Sequence, residues 1–162
     1  MLAAVRPTSI FLRTSWGAML IAAVCSFGIG PAAALEFSRP VFEDVAFTVC
    51  KVDLGTDRLE LFLTAPDQRP FADFWRLESV LKSRGSRLVF AMNAGMFKPD
   101  FSPVGLFVAG GNLNTPLNLA EGKGNFFLKP NGVFAVVSGE AGIWRSEVFA
   151  GVQTAGVVSL AT

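Results

Sequence analysis

Hydrophobic and polar positions change their spacing several times along this chain, and each change marks an element. Residues 16–29 run without a charge, preceded by Arg6 and Arg13, and Pro31 then leads into Ala32-Ala33-Ala34 before the first acid, Glu36. A positive start, a short apolar middle and a small-residue end make the pattern of an export leader over residues 1–34, which predicts cleavage after Ala34. The run is shorter than the roughly 20 apolar residues of a spanning helix, so an uncleaved anchor fits less well. Val24 before Cys25 is not the small residue of a lipoprotein signal, and Arg6 and Arg13 are not adjacent as in a twin-arginine signal.

Beyond the leader the period falls to two. Val45, Phe47 and Val49 alternate with Ala46, Thr48 and Cys50; Gly55-Thr56-Asp57 interrupts; Leu59, Leu61 and Leu63 then alternate with Arg58, Glu60 and Phe62. Two such runs around a glycine-bearing turn predict a β-hairpin. Residues 65–70, with two prolines and an acid, predict a loop. Over residues 71–84 the apolar positions Phe71, Phe74, Leu77 and Leu81 recur at steps of three and four, with Asp73 in the first turn, Lys82 and Arg84 in the last, and Gly85 as the stop. These features predict an amphipathic helix whose charges match its dipole.

Residues 88–92 form a short apolar run, long enough for a buried strand and too short for a helix. Two prolines make residues 98–103 irregular. Residues 104–108 are the next strand, closed by Gly110-Gly111-Asn112, and residues 114–123 are polar. Residues 126–128 and 133–137 flank Lys129-Pro130-Asn131-Gly132, whose proline, asparagine and glycine suit successive turn positions and predict a second hairpin. A weaker strand follows over 143–149, and the uncharged stretch 151–162 carries no periodicity that assigns it a type. The fold class is α+β, with a largely antiparallel sheet and one clear amphipathic helix.

Composition narrows the chemistry. The 162 residues include no histidine, which excludes a Ser-His-Asp triad, a Cys-His dyad, a histidine-ligated zinc and a histidine pH switch within this chain. With 14 basic against 13 acidic side chains there is no electrostatic case for a nucleic-acid partner. Removing Arg6 and Arg13 with the leader leaves residues 35–162 nearly neutral and long enough to bury one core. Cys50 is then a buried small apolar residue, or one whose disulfide partner lies outside the chain. Neither a Walker-type phosphate loop nor a dinucleotide fingerprint occurs, and Gly122-Lys123-Gly124 reads as a flexible turn. Asp100 and Glu121 are the acids in the loops around the asparagine-bearing motifs, where isolated carboxylates are normally solvated. No cofactor and no metal site is indicated.

Three segments carry a more specific likeness. These are Phe90-Ala91-Met92-Asn93-Ala94-Gly95-Met96-Phe97, then Ser102-Pro103-Val104-Gly105-Leu106-Phe107-Val108, then Gly124-Asn125-Phe126-Phe127-Leu128-Lys129-Pro130-Asn131-Gly132-Val133-Phe134. In this order and spacing the chain resembles the phosphodiester glycosidase family, that of the uncovering enzyme N-acetylglucosamine-1-phosphodiester alpha-N-acetylglucosaminidase, over about residues 45–162. The resemblance implies an exported, periplasmic or extracellular α+β domain that hydrolyses the bond between a sugar's anomeric carbon and a phosphodiester. It makes Asn93, Gly95, Asn125, Lys129 and Asn131 the candidate substrate-binding residues. The amides would hold sugar hydroxyls and Lys129 would pair with phosphate as a point charge. The structural alternatives are a turn cap for Asn93, a hairpin turn for Asn131 and a solvated strand end for Lys129.

Members of that family continue beyond the point matching Thr162, so the resemblance implies that residues 35–162 are the front portion of an incomplete domain. Glycosidic cleavage commonly uses two carboxylates, and the sequence identifies no convincing pair. The expected partner is a sugar phosphodiester or glycan, with the membrane met only through the leader. A non-catalytic module that binds glycan or envelope phosphodiesters through the same loops, or an inactive truncated remnant, is the alternative.

Overall fold

The computed structural model describes residues 1–8, 35–156 and 158–162. In chain order the elements are β1 (Leu2–Pro7), β2 (Glu36–Ser38), β3 (Val41–Phe42), β4 (Val45–Ala46), β5 (Val49–Lys51), β6 (Arg58–Leu61), α1 (Phe74–Ser83) and β7 (Ser86–Met92). There follow β8 (Phe107–Ala109), β9 (Asn112–Thr115), β10 (Gly132–Val137), β11 (Glu140–Arg145), α2 (Ser146–Ala155) and β12 (Val158–Ala161). One sheet has the order β6-β1-β7 and a larger one the order β11-β10-β12-β8-β9, while β2 pairs with β5 and β3 with β4. Among the described residues every strand pair is antiparallel, and α1 and α2 accompany these sheets, which makes the protein α+β.

The core lies in three clusters. Ala3 and Val5 of β1 meet Ala65, Phe71, Leu77 and Leu81, which seats α1 on one face of the smaller sheet. Leu106, Val108, Val133, Ala135, Ala161 and Phe149 form the second cluster and seat α2 on the larger sheet. Leu61, Phe107, Val136 and Leu160 join the two sheets to each other. The amphipathic helix expected over residues 71–84 is α1, narrowed at its start. Asp73 is its N-cap rather than part of its first turn: its backbone is extended and its Oδ1 accepts from the Arg76 N–H at 2.7 Å. At the other end the Gly85 N–H closes on the Lys82 carbonyl at 3.1 Å, with glycine at φ 68°.

Four expectations change. The first hairpin does not form: β5 pairs with β2 and β6 with β1. Between them the Thr56 and Asp57 N–H groups both close on the Asp53 carbonyl, a tight helical turn that redirects the chain instead of reversing it. Nor do residues 126–128 pair with β10, because both edges of β10 are taken by β11 and β12. Asn125–Phe127 instead winds into one 3-10 turn after Gly124, whose φ of 99° only glycine adopts without strain. A second helix, α2, replaces the end of the strand expected over 143–149, since Phe149 and Val152 lie one turn apart against Trp144 and Val133. The polar stretch after Gly111 supplies β9, reached through Gly110 and Gly111 at φ 55° and 77°.

Residues 9–34, the body of the expected leader, lie outside the described residues. Leu2–Pro7, read from sequence as its start, is the middle strand of the smaller sheet, and Ala3, Ala4 and Val5 are buried. Cys50, on β5, is half-buried, without a disulfide partner among the described residues. Burial, and then the nearby Asp57 charge, push its thiol up from the ordinary value.

Candidate functional site

A cavity of about 710 Å³ opens where the ends of the two sheets meet. That lies within the ~300–1,000 Å³ of typical ligand clefts. Its walls come from the start of α1, the segment after β7, the 103–107 segment, the 3-10 turn and the first residues of β10. Asn93, Gly95, Asn125 and Asn131, four of the five residues singled out from the sequence, all line it. The fifth does not: Lys129 points elsewhere, and its Nζ pairs with Glu147 Oε1 at 2.9 Å on the surface.

Each position has a local cause. Asn93 directly follows the last residue of β7, so the strand fixes its backbone while its side chain stays exposed at the cavity wall. Gly95 is required by close approach: a Cβ there would stand 2.7 Å from Thr162 Oγ1. Gly105 is tighter still in consequence, because a Cβ would stand 2.8 Å from the Phe126 ring, which cannot fold away as a hydroxyl can. Phe126 packs edge-on against Phe127 with centroids 5.1 Å apart, and this pair anchors the turn that carries Asn125. Asn131 donates from Nδ2 to the Phe126 carbonyl at 3.2 Å. Its Oδ1 is buried without a hydrogen-bond partner among the described residues. A buried amide oxygen left unpaired costs about 1–3 kcal/mol, so this atom is an acceptor waiting for a donor.

Among the described residues Asp73 is the only acidic or basic side chain in the lining, and sequence reasoning placed it in a helix without a functional role. The N-cap signal located the helix start, but nothing in the local pattern says that this start lines the same cavity as Asn93. Much of the remaining surface is apolar: Phe97 stacks on Phe101 at 5.9 Å, and Met96, Phe74 and Phe126 line the cavity with them. Met1 also borders the cavity; its amino group donates to the Phe62 carbonyl at 2.6 Å, and burial lowers the pKa of that group.

The loop acids lie apart from this lining. Asp100 accepts from the Ser102 N–H and Oγ, at 3.0 and 2.7 Å, which holds its carboxyl below the usual range and shapes the 98–102 turn. Glu121 is exposed, and Gly122 lies flat under the Phe127 ring. Among the described residues no three of His, Cys, Asp and Glu gather as they would around a metal ion. No helix there is long and apolar enough to cross a membrane.

The chain is similar to the uncharacterized protein YigE of Escherichia coli (strain K12), with 32% identity over 112 residues. That match covers 69% of this chain and 42% of YigE, so the chain spans less than half the length of this relative. No family model and no solved structure matches the chain.

Proposed function

We propose that the cavity is the sugar-binding part of a phosphodiester glycosidase site, which takes a sugar joined through its anomeric carbon to a phosphodiester. The observation that carries this reading is the convergence of Asn93, Gly95, Asn125 and Asn131, from two segments about 30 residues apart, on one cavity. Asparagine amides offer two donors and one acceptor each, which suits the mixed donor and acceptor character of sugar hydroxyls. The unpaired Asn131 Oδ1 takes a hydroxyl or amide N–H of the sugar. Phe97, Phe101 and Phe126 supply the flat apolar surface on which the C–H face of a pyranose packs. With Lys129 paired to Glu147 outside the cavity, the phosphate lies toward solvent rather than against a cation.

In this reading Asp73 takes the role of the single carboxylate at the anomeric centre. Its Oδ1 is held by the Arg76 N–H at the start of α1, which fixes the side chain in the cavity lining, where a carboxylate polarises a water or steadies a developing oxocarbenium ion. A second reading, a binding module without hydrolysis, is favoured by one observation: the described lining contains one carboxylate where cleavage commonly uses two.

Calorimetric titration of the full chain with N-acetylglucosamine 1-(methyl phosphate), with the products checked by 31P NMR, tests both. Binding that weakens about tenfold in Asn93→Ala, the loss of roughly one sugar hydrogen bond, supports the site. Release of methyl phosphate favours the hydrolase, and binding without release favours the module. Absence of binding, or equal loss in Lys129→Ala and Asn93→Ala, overturns the placement.

A further inference from the structure

The most unusual feature outside the cavity is the position of β1. It is the middle strand of its sheet, hydrogen-bonded to β6 on one side and β7 on the other, yet residues 9–34 separate it in sequence from everything it touches. Without it, β6 and β7 face each other across a gap of about two strand spacings, roughly 9–10 Å, each with an unpaired backbone edge.

The gap is selective in three ways. The face toward α1 admits only small or β-branched side chains, since Ala3 and Val5 pack there against Leu77 and Leu81. The ends are fixed by the Met1 amino group on the Phe62 carbonyl at 2.6 Å and the Thr8 N–H on the Gly85 carbonyl at 2.7 Å. Asp57 supplies the third condition. Its side chain is only 4% exposed, and Arg6 meets its Oδ1 at 2.5 Å. A carboxylate this buried needs a cation, so whatever fills the gap has to bring one to that position.

We propose that the gap between β6 and β7 is a strand-acceptor site for an extended, small-apolar, arginine-bearing segment. Its occupant is residues 2–7 of the chain itself, held by the sheet rather than by the covalent link through residues 9–34. The same six residues lie within the stretch whose pattern reads as an export leader, and cutting the chain after Ala34 therefore turns a strand into a bound peptide. Because Met1 borders the candidate cavity, the occupant also completes one of its walls. The proposal is independent of what the cavity binds.

The test begins with the folded full chain carrying a site-specific protease sequence within residues 9–34. After cutting, gel filtration and mass spectrometry ask whether residues 1–8 stay with the remainder. A fluorescent synthetic peptide of residues 1–8 then reports exchange by anisotropy, beside the same peptide with Arg6→Glu. The expected result is co-elution of the cut fragment, uptake of the wild-type peptide and at least about 30-fold weaker uptake of Arg6→Glu, the effect of breaking a buried charge pair. Loss of the fragment on gel filtration, or equal uptake of the two peptides, overturns the proposal. The specificity is read on the peptide, so no substitution has to be made in the sheet itself.

Discussion

At the residue scale the site depends on close approach and on one buried charge pair. Gly105 touches no ligand, but it makes room for the ring of Phe126, the residue that anchors the turn bearing Asn125 and whose backbone carbonyl accepts from Asn131 Nδ2. Gly105→Ala is expected to cost about 1–3 kcal/mol in urea unfolding, as overpacking does, and to weaken sugar binding along with stability. Asp57 makes a different prediction. Its hydrogen bond with Arg6 holds its carboxyl below the ordinary value against the opposing effect of burial. A carboxylate depressed in the folded state stabilises fully above the unfolded value of about 4, and this contribution is lost as pH falls through the lower folded value. Urea midpoints between pH 6 and pH 2 are expected to fall more steeply in the wild type than in Asp57→Asn, which lacks the titrating group. Parallel curves would remove the pair from the acid response. At neutral pH Arg6→Ala strands the buried carboxylate and is expected to cost about 3–5 kcal/mol.

At the element scale α1 couples stability to the cavity, since Asp73 both caps the helix and lines the cavity that the asparagines also line. Two substitutions separate these roles. Asp73→Ser keeps a capping oxygen and is expected to unfold like the wild type, whereas Asp73→Ala loses the cap and about 1 kcal/mol. Hydrolysis, or the affinity for the sugar phosphodiester if none occurs, is expected to fall equally in both; recovery in Asp73→Ser would make the residue a cap and nothing more. The same helix shows what the sequence reveals. Its three- and four-residue spacing, the buried Leu77 and Leu81, and the Gly85 stop are local properties and were legible. Hairpin partners were not, because pairing is decided by which edges remain vacant. Residues 126–128 are apolar and follow a glycine, yet β11 and β12 already flank β10. α2 was obscured because Phe149 and Val152 continue an apolar strand-like run, and their shared face is defined only by Trp144 beside them.

At the scale of the whole molecule the cavity is a product of topology. Asn93 follows a strand of one sheet and Asn131 precedes a strand of the other, and the cluster of Leu61, Phe107, Val136 and Leu160 fixes the two sheets against each other. The sequence motifs named four of the lining residues, but only the packing of the sheets shows that they line one cavity with Asp73 and that Lys129 does not. The alternation over residues 45–49 had no such outcome. Val45, Phe47 and Val49 remain exposed beside Phe42, so a period-two pattern identified extended chain without identifying what covers it. The methionines offer the most direct check that the shared wall binds sugar, because Met1 and Met96 border the cavity while Met92, at the end of β7, does not. With 13C-methyl-labelled methionine in the full chain, titration with N-acetylglucosamine 1-(methyl phosphate) should move the Met96 and Met1 methyl signals together along one saturating curve and leave Met92 in place. Unmoved Met96 and Met1 signals at millimolar ligand, or a shift confined to Met92, would contradict the assignment of this cavity as the sugar site.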